Sequence, residues 1–208
     1  KKKRRELEGK SEHFEALLYK DMPKFMVKLR KLDGFAAQAL RFTILTASRT
    51  GEIRFAVWDE FDLDKKEWTS PKNRMKAGRE HRVALPDAAV TLLNELPRIN
   101  EYVFPGWKTG QPLSNGGMLS VLKRMERQDI TVHGFRSTFR DYIGEETGFP
   151  FRLAEFALAH QLKDGAEKAY ARGDMLKKRF AMMNAWAVYV DSLSNGKNVV
   201  HINRRVQS

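Results

Sequence analysis

The stretch FAAQALRFTILTAS (35–48) is apolar on nearly every side at helical spacing. A helix without a polar face must be wrapped by other elements, so the chain is expected to build its core around this segment. The material for wrapping it lies on both sides. Upstream, Pro23 suits a first helical turn, and Phe25, Met26, Leu29 and Leu32 keep helical spacing until Gly34 breaks it. Downstream, GEIRFAVW (51–58) reads as a short helix. FDLD, EWTS and EHRVALP then read as three short strands rich in aromatic and β-branched residues, with MKAGRE as the hairpin turn between the last two.

Helical spacing returns after Asp87, a candidate N-cap for AAVTLLNEL. YVFPGWKTGQP reads as loop, and Ser114 is a candidate cap for NGGMLSVLKRMER. HGFRSTFRDYIGEETG (133–148) is helical. A short helix near 152–159, a loop, a helix around 165–171 and a last helix from about 174 to 192 complete the pattern. The fold class expected is mainly α with one small three-stranded antiparallel β-sheet, an α+β arrangement. Residues 1–19 read as a basic linker or leader, 20–193 as one domain and 194–208 as a polar tail. A chain beginning at Lys1 is expected to be a fragment.

Charge narrows the function classes. Lys and Arg number 38 against 26 Asp and Glu, a net charge of +12. Such a surplus favours a polyanionic partner, most often nucleic acid. The absence of cysteine rules out disulfides, thiolate zinc sites and a cysteine nucleophile. No apolar run approaches the roughly 18 residues needed for a membrane-spanning helix. HExxH, a P-loop and GxSxG are all missing. Asp59, Glu60, Asp62 and Asp64 could suggest a two-metal nuclease, but acidic turns of this kind are usually just solvated.

Seven residues could carry chemistry: Arg49, Glu52, Lys76, His133, Arg136, His160 and Tyr170. Arg49 lies where the apolar helix ends, a place where arginines often bond free carbonyls. Glu52, three residues on, could hold its guanidinium in a fixed plane for bidentate phosphate recognition. His133 and Arg136 share a face at a helix start, where the helix dipole already favours an anion. Taken singly, Lys76 at a hairpin tip would be solvated, Tyr170 would be a packing residue and His160 a helix-end histidine.

In chain order these residues sit in ASRTGEIRFAVWDEFDLD, NRMKAGREHRVALP, TVHGFRSTFRDY, LAHQ and KAYARGDMLKKR, with YVFPG between the second and third. That order resembles the catalytic domain of the tyrosine recombinases, or phage integrases. It is most similar to the integrases of P4-like prophages and integrative islands, over roughly residues 20–192. LAH stands where LGH is commoner. The resemblance implies a site-specific DNA recombinase that breaks and rejoins DNA through a 3′-phosphotyrosine, in integration or excision of a mobile element. Tyr170 matches the nucleophile, and Arg49, Arg136 and His160 match the groups that bind the scissile phosphate. His133 matches the proton acceptor, Lys76 the general acid and Glu52 the carboxylate supporting Arg49. It further implies no metal or nucleotide cofactor, double-stranded attachment-site DNA as partner and a tetramer on that DNA. Accessory DNA-bending and excision factors and a cytoplasmic, nucleoid location belong to the same expectation. The family's arm-binding and core-binding domains would be absent. A type IB topoisomerase-like enzyme and a catalytically silent DNA-binding module are the alternatives.

Overall fold

The computed structural model describes residues 15–75, 78–160 and 174–193. The apolar segment forms α2 (Phe35–Thr46), with α1 (Met22–Leu29) before it and α3 (Thr50–Arg54) after it. Gly34 begins α2 at φ +97°, a backbone setting that glycine adopts without a side-chain penalty. α2 is buried on almost every face. It packs against α1, α3 and three later helices: α4 (Asp87–Glu95), α5 (Gly117–Arg124) and α8 (Leu176–Val190). Its two inward threonines return their hydroxyls to carbonyls one turn back, Thr43 to Ala39 and Thr46 to Phe42, each at 2.7 Å. This satisfies polar groups that burial would otherwise leave costly.

The sheet has the expected three antiparallel strands: β1 (Phe61–Asp62), β2 (Glu67–Ser70) and β3 (His81–Ala84), in that spatial order. Trp68 pairs with Phe61 on one side and Val83 on the other, and is fully buried. Its ring stacks on Phe61 at 5.3 Å between centroids and meets Phe42 of α2, so the sheet grips the central helix through aromatic rings. α6 (Gly134–Glu146) and α7 (Phe151–Ala157) complete the body, and α8 lies across β3, α1, α2, α4, α6 and α7. Phe180, Met183, Trp186 and Val190, at helical spacing in the sequence, all face the core from α8. Trp186 donates its indole N–H to the Ile44 carbonyl of α2 at 2.8 Å.

The structure corrects several local expectations. The helix expected over 51–58 ends at Arg54, because β-branched Val57 turns extended and bridges Tyr102. Asp87 is the first residue of α4, not its cap. Pro86 holds the cap position, the Asp87 N–H is taken by Asn184 Oδ1 at 2.8 Å, and the Asp87 carboxylate pairs with Lys66. Ser114 likewise does not cap α5 with its side chain; Gly116 holds that position and the Ser114 carbonyl accepts from the Gly117 N–H. Leu17 and Tyr19 are buried, so the chain from residue 15 already packs with the domain. The helix expected around 165–171 lies outside the described residues, as do residues 1–14 and 194–208. Among the described residues no helix is long and apolar enough to cross a membrane.

Candidate active site

The site is assembled at the end of α7. A helix leaves its last carbonyls without intrahelical partners, and here side chains from other elements take them. The Leu158 carbonyl accepts from Arg49 Nη2 at 3.1 Å and from Arg136 Nη2 at 2.7 Å. Arg136 also donates through Nη1 to the Ala47 carbonyl, at the end of α2. Ala47 stands in the left-handed region at φ +51°, which turns the chain from α2 towards Arg49. The two arginines, 87 positions apart in the sequence, thus converge on one oxygen.

Glu52 is 3% exposed and fixes Arg49 from the other side. Its Oε1 accepts from Arg49 Nη1 at 2.8 Å and its Oε2 from the Arg49 backbone N–H at 3.0 Å. The three-residue spacing at the start of α3 lets one carboxylate do both. Arg136 is 4% exposed. Burial, and then the nearby Arg49 charge, pull its pKa down to about 10, so it stays protonated at neutral pH.

His160 joins through Arg136, whose Nη2 lies 3.3 Å from His160 Nε2. Its other ring nitrogen, Nδ1, lies 3.0 Å from Glu155 Oε2. Glu155 Oε1 in turn accepts from Arg140 Nε at 2.9 Å. Burial lowers the His160 pKa, with Glu155 opposing the shift. His133 holds the N-cap position of α6, three residues before Arg136, and is exposed.

Of the seven predicted residues, the structure brings Arg49, Glu52, Arg136 and His160 into one cluster, with His133 at the head of the helix that carries Arg136. Lys76 and Tyr170 lie outside the described residues. After β2, Arg74 bonds the Phe55 carbonyl and the Glu60 carboxylate. Two of the carboxylates weighed as a nuclease site are committed elsewhere. Glu60 also accepts from the Trp68 indole at 3.0 Å, and Asp62 pairs with Lys65 at 2.6 Å. Among the described residues no three His, Asp or Glu side chains gather as a metal site. Glu155, Arg140 and the Leu158 carbonyl went unseen in the sequence.

Residues 16–176 match the Phage integrase family. The chain belongs to the phage integrase family. Among curated integrases, prophage integrase IntA of Escherichia coli K12 is 37% identical over 162 residues, covering 76% of this chain and 39% of that protein. The integrase of Enterobacteria phage P4 is 32% identical, covering 89% of this chain and 47% of its own length. This integrase chain therefore spans less than half of these relatives. Its fold is similar to that of lambda integrase in a dimer bound to a COC′ core site, with a TM-score of 0.57 at 17% identity over 80% of this chain and 50% of that one. It is likewise similar to XerA recombinase, with a TM-score of 0.55 at 14% identity over 77% of this chain and 64% of that one.

Proposed function

We propose that this integrase-family chain cuts and rejoins DNA as a site-specific recombinase, serving integration or excision of a prophage or related mobile element. The observation that carries it is the convergence of Arg49 and Arg136 on the Leu158 carbonyl, with His160 beside them. Two guanidiniums held at one point suit the non-bridging oxygens of a phosphodiester, where negative charge grows during displacement. The net charge of +12 adds attraction to the rest of the duplex.

In this proposal Tyr170 attacks the phosphorus. The bond to the 5′ oxygen breaks, and the phosphate remains on the tyrosine as a 3′-phosphotyrosine that keeps the bond energy for rejoining. A phenol ionises near pH 10, so His133 takes its proton as it attacks. Lys76 protonates the leaving 5′ oxygen. Arg49, Arg136 and His160 stabilise the negative charge on the non-bridging oxygens, and Glu52 keeps Arg49 in plane. Double-stranded attachment-site DNA and a tetramer on that DNA are the proposed partners, with accessory DNA-bending and excision factors. The nucleoid is the proposed place of action. A structurally similar protein lends support: lambda integrase forms a tetramer bound to a Holliday junction. Tyr142 on α6, a tyrosine close to Arg136 in sequence, is a poor substitute nucleophile: it is buried, stacks on Tyr189 at 4.3 Å and has its pKa pushed up to about 12 by burial. A nicked suicide substrate tests the proposal. Covalent protein–DNA product is expected from the wild type and none from Tyr170→Phe; adduct formation by Tyr170→Phe would overturn the assignment.

A further inference from the structure

β3 reaches the end of α7 through one side chain that the proposed reaction does not use. His81, the first residue of β3, sits opposite Ser70 in the sheet and places Nε2 3.2 Å from the Ala157 carbonyl. A carbonyl oxygen can only accept, so the ring must carry its proton on Nε2. Burial is the main cause that pulls the His81 pKa down to about 4, with the Arg179 charge acting the same way. The ring is therefore neutral at working pH and its donor is always present.

Ala157 is the residue directly before Leu158. The end of α7 thus offers two successive carbonyls. His81 from the sheet holds the first, and Arg49 and Arg136 share the second. Without the first bond, the turn carrying the Leu158 carbonyl loses its hydrogen bond to β3, and the arginines lose a directional reference against the sheet. His160 follows two residues later and is set through Arg136.

We propose that His81 is a positioning residue for DNA cutting: its bond to the Ala157 carbonyl fixes the Leu158 corner on which Arg49, Arg136 and His160 are aligned. This rests on the strand-cutting function proposed above. A misplacement of about 1 Å in such a cluster costs on the order of 10²-fold in rate. DNA affinity, spread over many phosphates, hardly depends on it.

The test compares three variants in the full-length protein. His81→Gln puts an amide N–H near the position of Nε2. His81→Asn keeps a polar amide too short to reach, and His81→Leu removes the donor. Single-turnover adduct formation on nicked DNA, DNA affinity and Tm are read for each. His81→Gln is expected within about 3-fold of wild type. His81→Asn and His81→Leu are expected to form adduct about 10- to 100-fold more slowly, with affinity within about 2-fold. The loss should persist on DNA with a 5′-bridging phosphorothioate, because the arginines serve the non-bridging oxygens whichever atom leaves. If His81→Leu fails to fold, Gln against Asn still decides.

Equal rates for Gln and Asn would overturn the inference. So would a loss of affinity that matches the loss of rate. Recovery on the phosphorothioate would also overturn it, by assigning His81 to leaving-group departure. No adduct from the wild type would overturn strand cutting itself and the role of His81 with it. Wild-type adduct with indistinguishable variants overturns the role of His81 alone.

Discussion

Arg136 and His160 meet nitrogen to nitrogen at 3.3 Å, and that contact fixes the protonation of the imidazole. A guanidinium has no lone pair to offer, so His160 Nε2 must accept and the ring proton must sit on Nδ1, facing Glu155 at 3.0 Å. The arrangement works only with a neutral ring, in keeping with the downward shift that burial imposes on His160. To bond a phosphate oxygen that replaces the Arg136 contact, His160 Nε2 must take up a proton, in a ring whose orientation Glu155 has already set.

Glu155→Gln tests that chain. The Glu155 carboxylate raises the His160 pKa against the larger effect of burial. Removing its charge leaves burial unopposed, so the His160 pKa should fall further. Proton NMR titration of the His160 ring is expected to show a lower midpoint than wild type. A midpoint that stays or rises would mean that Glu155 does not act on the ring.

Arg136→Lys keeps a positive charge but cannot reach the Ala47 and Leu158 carbonyls together, because an ammonium lacks the planar fork. Adduct formation should fall about 10²- to 10³-fold, the usual size of one lost charge-stabilising donor. Affinity for duplex DNA should hardly change. Equal losses of rate and affinity would show that Arg136 serves general DNA attraction rather than the reacting phosphate.

Gly134→Ala probes the turn between His133 and Arg136. A β-carbon at Gly134 would stand 2.4 Å from the Glu15 carbonyl oxygen, in a segment that also bonds Thr131 and Thr138 of the same region. Backbone cannot yield as a side-chain tip can, so the substitution should cost about 1–3 kcal/mol. Urea unfolding measures it. A variant as stable as wild type would show that residues 15–17 can be displaced freely.

Acid should weaken the fold through His81. Its folded pKa of about 4 lies below the ordinary 6.5, so between those values the unfolded chain binds a proton that the folded chain does not. Stability contributed by the neutral ring is full above about pH 6.5 and is lost as pH falls towards 4, at up to about 1.4 kcal/mol per pH unit. His81→Gln should flatten that slope in urea midpoints taken at pH 7 and pH 5. An unchanged slope would place the acid sensitivity on other groups.

Much of this was legible in the sequence. The mostly apolar character of 35–48 marked the helix that others surround, and three short β-rich runs marked the strands of the sheet. Arg49 and Glu52 were readable because their partnership is local, three residues apart at a helix start. The joining partners were not. The acceptors at Ala47 and Leu158 are backbone oxygens, and no residue type announces a carbonyl. His81 looked like any strand residue, and Glu155, five positions before His160, meets it only because the chain turns after α7. Caps failed for a similar reason: Asn184 accepts the first N–H of α4 from nearly 100 residues away.

The oxygen on which both arginines converge belongs to the main chain, so a substitution scan across the protein cannot delete it. Every replacement at Leu158 retains the carbonyl, so any loss there reports on the packing of its buried side chain and not on the oxygen. Only chemistry on the peptide bond can address it. An α-hydroxy acid installed at position 159 turns the Leu158 amide into an ester, whose carbonyl is a poorer acceptor, and also removes the N–H that Ala159 gives to the Phe156 carbonyl at 3.1 Å. Evolution faces the same restriction. The surrounding side chains can drift, but the oxygen that gathers them is common to every amino acid the position could hold.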